Sequence, residues 1–92
     1  MDKVEDIASS LKPGQKIVVY PLSVKYGDEI SSFAEHCLSP DFPGSVSQIE
    51  IEEPFEAVFL RFDGQSLYLA TNEFSCIRIA VAYIKQITLI YS

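Results

Sequence analysis

His36 and Cys37 stand side by side, and Cys76 is the only other thiol among 92 residues. A Cys–His nucleophile needs the imidazole within reach of the thiol and a third group to orient it. Here the two residues are consecutive on a segment whose apolar spacing predicts a helix, where i and i+1 point in different directions. The plainer account is an exposed histidine beside a core cysteine. A metal set drawn from Glu35, His36, Cys37 and Cys76 lacks any C-x-x-C or H-x-x-x-H spacing, so neither a metal nor another cofactor is expected. Gly14, Gly27, Gly44 and Gly64 stand alone, with no phosphate-binding loop around them. Glu50, Glu52 and Glu53 read as the solvated edge of a strand rather than as an acid–base pair. The expectation is a protein without catalytic activity.

Binding chemistry has better material. Single-stranded nucleic acid is held by aromatic rings that stack on bases and by cations near the backbone. Asn72 and Phe74, with Arg78 just beyond, form one such group, and Tyr83 with Lys85 forms another. Each also has a structural reading. Phe74 can plug the end of a core, Arg78 can pair with an acidic strand, and Tyr83 can pack at a subunit interface. The net charge of −6 argues against a generic nucleic-acid binder, which carries a basic footprint. The charges are segregated along the chain. Positions 7–27 carry Lys12, Lys16 and Lys25 without an acid, 28–56 carry eight acids without a base, and 74–92 carry Arg78 and Lys85 without an acid. Solubility accounts for this pattern, and a two-faced assembly is the sharper reading.

The elements that position these residues are mostly strands. Cys76–Tyr91 is rich in β-branched residues and too short to span a bilayer, so no membrane partner is expected. It predicts two strands, about 76–81 and 84–91, bent near Ala82–Tyr83. Apolar residues on both faces of this segment require both faces to be covered. With 48% hydrophobic residues in so short a chain, a subunit interface is the expected cover, built on Ile84, Ile87, Leu89 and Tyr91. Upstream, Asp2 begins a capping box, and Val4, Ile7, Ala8 and Leu11 share one helical face before Pro13-Gly14 stops the helix. Lys16–Val24 predicts a strand with an edge or bulge at Pro21. Glu29–Leu38 predicts a second short helix, and Ser39–Gly44 a loop. Val46–Glu52, Phe55–Phe62 and Ser66–Ala70 predict strands, the last two joined at Asp63-Gly64, with a polar kink over 71–75.

The sum is a single mainly β domain over 1–92. It is expected to be a small, strongly bent five-stranded barrel with an N-terminal capping helix and a short helical insertion. The N-terminus is amphipathic and acidic rather than a basic-then-apolar leader, so a cytoplasmic setting with reduced thiols is expected.

This order of elements resembles the Sm-like family, the ring-forming RNA-binding proteins that include the bacterial host-factor type. Asp2–Leu11 stands as its helix, Lys16–Val24 as its first strand, Phe55–Ala70 as its central hairpin and Ile77–Tyr91 as its closing pair. The small size resembles variants suspected in marine phages. The segment Gly27–Gly44 has no counterpart in the minimal fold. The resemblance implies a homo-oligomeric ring of five to seven subunits whose last two strands pair with a neighbour, and a role with single-stranded RNA or DNA. The alternative is an acidic protein–protein interaction or assembly module without nucleic acid.

Overall fold

A computed structural model describes residues 4–22, 24–26, 29–31, 33–39 and 42–90, with side chains given for 4–22, 33–38 and 47–90. One helix, α1 (Val4–Ser10), precedes nine strands: β1 (Lys16–Pro21), β2 (Val24–Tyr26), β3 (Glu29–Ser31), β4 (Phe33–Ser39), β5 (Phe42–Glu50), β6 (Phe55–Phe62), β7 (Ser66–Ala70), β8 (Ile77–Ala80) and β9 (Ile84–Leu89). Seven strands form one antiparallel sheet in the order β5-β4-β8-β7-β6-β1-β9, and β2–β3 is a separate hairpin.

The helix is too short to persist alone and is held by its apolar stripe. Val4, Ile7, Ala8 and Leu11 pack against the core, with Ala8 fully buried. Its exit is pinned where the Gly14 N–H donates to the Phe59 carbonyl and the Phe59 N–H donates to the Gln15 carbonyl, each at 2.8 Å. Gly14 there has φ +92°, a left-handed conformation that a side chain would strain.

Strand alternation builds the core. Ile17 and Val19 of β1, Ala57 and Phe59 of β6, Leu67 and Leu69 of β7, and Ile77 and Ile79 of β8 are all buried in one cluster. A fully buried Ile or Leu contributes about 1.5–3 kcal/mol. The opposite face buries a smaller cluster of Cys37, Tyr68 and Cys76, with Leu60 against it.

Tight connections fix the registers. Asp63 Oδ1 accepts from the N–H groups of Gln65 and Ser66 at 2.9 and 2.8 Å, and Gly64 has φ +98°. That is the hairpin expected from Asp63-Gly64. Thr71 Oγ1 accepts from the N–H groups of Glu73 and Phe74, closing the turn into β8. A 3-10 turn over Val81–Tyr83 makes the bend between β8 and β9.

Pro21 sits at a bulge, not an edge, since β1 lies inside the sheet between β6 and β9. Tyr20 pairs with Gln86 and Pro21 with Ile84, so Lys85 is passed over. The extra residue turns the strand, and Ile84 and Ile87, three apart, are both buried in the same core. The lost N–H of Pro21 is thus accommodated, but the strand ends there rather than running to Val24.

Several expectations are corrected. The predicted helix over Glu29–Leu38 is two strands, β3 and β4. Pairing with the otherwise open edge of β8 outweighs a helix of about ten residues, even though the apolar spacing is helical. Ser39–Gly44 is not a loop throughout, because Ser39 and Phe42 already pair and β5 runs on through Pro43. Pro43 is tolerated because β5 ends the sheet. The expected five-stranded barrel is an open seven-stranded sheet: its order ends at β5 and β9, which do not pair. The extra hairpin β4–β5 lengthens the sheet on the β8 side and covers that edge directly.

The closing pair also lies differently from expectation. Ile84 and Ile87 are only 4% and 5% exposed, filling the chain's own core, and Leu89 packs partly buried against it. Exposed on β9 are Lys85, Gln86 and Thr88. Asp2 and Tyr91 lie outside the described residues. No helix among the described residues is long and apolar enough to cross a membrane.

Candidate interaction groove

Where β5 ends, the chain leaves the sheet through Ile51–Pro54 and re-enters as β6 at Phe55. The β7–β8 turn, Thr71–Phe74, stands across from it. Between these segments lies a groove of about 690 Å³. Strand alternation sorts its lining. Ile49 and Ile51 are half-buried and pack on the core while Glu50 and Glu52 are exposed. Phe55, Phe74 and Ile77 complete the apolar lining, and Glu53, Glu56 and Glu73 add to the acids. Five carboxylates therefore ring an apolar floor, and no Lys or Arg is among the described residues lining it. A concave site lined by one sign of charge concentrates its field and attracts ions of the other sign.

The expected nucleic-acid residues separate in space. Asn72 and Phe74 both line the acidic groove, Asn72 exposed and Phe74 half-buried. The Phe74 N–H donates to Thr71 Oγ1 at 3.0 Å, and its ring lies 5.0 Å from that of His36 at 57°. Arg78 is on the other side of β8 and ion-pairs with Glu35 of β4. It lines a second hollow of about 360 Å³ together with Glu35, Asp63 and Tyr83. Tyr83 meets Phe33 edge-on, with centroids 6.5 Å apart and planes at 85°. Lys85, exposed at the bulge of β9, lines neither hollow. Of the candidate residues, Asn72 and Phe74 line the acidic groove and Arg78 and Tyr83 line the second hollow.

Sequence reasoning did not gather Ile49, Ile51, Phe55, Glu56 and Glu73 into one site. The alternation over Ser47–Glu52 carried half of the signal. Glu73 joins only through the fold of the β7–β8 turn, which sequence spacing does not reveal.

His36 and Cys37 diverge as expected of neighbours, but on a strand rather than a helix. His36 meets Phe74, while Cys37 is buried on the opposite face beside Cys76. Burial raises both thiols. A hydrogen bond with Cys76 partly offsets this at Cys37, whereas Cys76, further raised by Cys37, is pushed up to about 11. Neither is primed as a nucleophile at neutral pH. Among the described residues no group of three or more His, Cys, Asp or Glu side chains is placed to hold a metal.

Comparison of the chain with protein-family models, with curated proteins and with solved structures finds no match.

Proposed function

We propose that this protein is a non-enzymatic interaction module whose groove receives a cationic, amphipathic segment of a partner protein. The observation that carries the reading is the coincidence of five carboxylates with an apolar floor in one concavity. An amphipathic segment lays apolar side chains on the floor while its Lys or Arg residues meet the rim. The same rim repels phosphates, so Phe74 and Asn72 are poorly sited for stacking a nucleic acid.

A binding titration tests this. A peptide alternating Lys with Leu and Phe should bind, and binding should weaken with added salt. The variants Glu52→Lys and Glu53→Lys should weaken it further. A peptide with Glu in place of Lys should not bind. If short oligo-U or oligo-A binds while the basic peptide does not, the reading is wrong.

The order of a helix, a strand, a hairpin and a closing pair favours a second reading, a Sm-like ring acting on single-stranded nucleic acid. It has to accommodate β4, which pairs with the edge of β8 that a neighbouring subunit would otherwise meet. Light scattering at micromolar concentration should report a multiple of 10.3 kDa if a ring forms.

A further inference from the structure

We infer that Cys37 and Cys76 are a cross-strand dithiol that a hydroperoxide closes into an intrachain disulfide, stitching the β4–β5 hairpin to β8. The register places them. Glu35 pairs with Arg78 and His36 with Ile77, and Cys37 and Cys76 are the next residues beyond that last pair. The backbone agrees, since the Cys37 N–H donates to the Cys76 carbonyl at 3.1 Å. Directly opposed residues of an antiparallel pair share a face, with Cα atoms about 5.5 Å apart when hydrogen-bonded. That separation lies inside the roughly 4.4–6.8 Å a disulfide spans. The two side chains are 0% and 1% exposed and lie in one cluster with Tyr68. No other cysteine competes for either.

The chemistry balances with a hydroperoxide as oxidant. Written from Cys37, the thiol loses its proton and the thiolate attacks the peroxide. Its sulfur bonds to a peroxide oxygen, the O–O bond breaks, and the departing oxygen leaves as water once protonated. Cys37 is then a sulfenic acid. The Cys76 sulfur attacks that sulfur, the S–O bond breaks, and the hydroxyl leaves as a second water with the Cys76 proton. Two electrons pass from the two sulfurs to the peroxide. Burial makes the reaction slow, paced by local opening between β4 and β8. The product ties together the hairpin that carries Ile49 and Glu50 and the turn that ends at Cys76, so both walls of the groove are fixed. The inference is independent of what occupies the groove.

The test uses the intact protein incubated overnight with hydrogen peroxide, quenched, then unfolded in an alkylating reagent for mass spectrometry. The expected product is monomeric, unalkylated and lighter by about 2 Da, with one linked peptide pair holding Cys37 and Cys76. Its thermal midpoint should rise by roughly 10 °C or more and return on reduction. The Cys76→Ala variant, treated alike, should show no such rise. Recovery of two alkylated thiols, of separately over-oxidised cysteines, or of a disulfide-linked dimer would overturn the inference.

Discussion

Arg78 and Glu35 stand directly opposite one another across β8 and β4 and form an ion pair between their side chains. Just beyond, the Cys37 N–H donates to the Cys76 carbonyl at 3.1 Å and both side chains are buried in one cluster. These pairs join the inserted hairpin to the rest of the sheet, one by charge and one by burial. Arg78 therefore has a structural partner on the neighbouring strand.

The ion pair is half exposed, at 24% and 39% for Arg78 and Glu35, so its worth is limited by solvent screening. A double-mutant cycle of Glu35→Gln and Arg78→Met should give a coupling of about 0.2–1 kcal/mol, read from urea unfolding and reduced at high salt. A coupling indistinguishable from zero at low salt would mean that the pair does not anchor β4.

Ile87 was expected at an interface and is instead in the core. Ile87→Asp should therefore unfold the monomer rather than dissociate an assembly, costing several kcal/mol for an unpaired buried charge. Circular dichroism and sedimentation should report loss of structure at every protein concentration. Ile79→Ala should cost about 2–5 kcal/mol, and Leu38→Ala, at a side chain 67% exposed, within about 0.5 kcal/mol of nothing.

Asp63 gives a pH dependence of definite sign. Burial alone raises its carboxyl, but hydrogen bonds from Gln65, Ser66 and Tyr68 and the charge of Arg61 outweigh this and hold it below the usual aspartate range. A depressed carboxylate stabilises the fold above its unfolded pKa and loses that contribution as pH falls through the folded value. Asp63→Asn should cost about 1 kcal/mol near neutrality, and the difference from the unsubstituted protein should shrink below about pH 4. Parallel melts from pH 7 to pH 2 check this, and a difference that stays constant would contradict it.

The sequence makes the regular parts of this fold legible. The helical stripe of Val4, Ile7, Ala8 and Leu11, the Asp63-Gly64 hairpin and the bend before Ile84 all follow from local rules. Glu29–Leu38 does not, since Ile30, Phe33, Ala34, Cys37 and Leu38 follow the helical period although the segment is strand. Only the unpaired edge of β8, a tertiary feature, decides between helix and strand. The mainly β class was readable, whereas the open seven-stranded arrangement depends on that same pairing. For the site, the chemistry of Asn72 and Phe74 is readable in the sequence, whereas the acidic groove they line is not. The five carboxylates come from three separated stretches, and only folding brings Glu73 to face Glu50.

The groove is the centre of the functional account, and its occupancy can be mapped residue by residue. Amide chemical shifts recorded while the Lys-, Leu- and Phe-containing peptide is added should move at Ile51, Phe55, Asn72, Glu73 and Phe74 and stay still around Tyr83 and Lys85. Shifts clustered at Tyr83–Lys85, or a groove that responds to oligo-U and ignores the peptide, would contradict it.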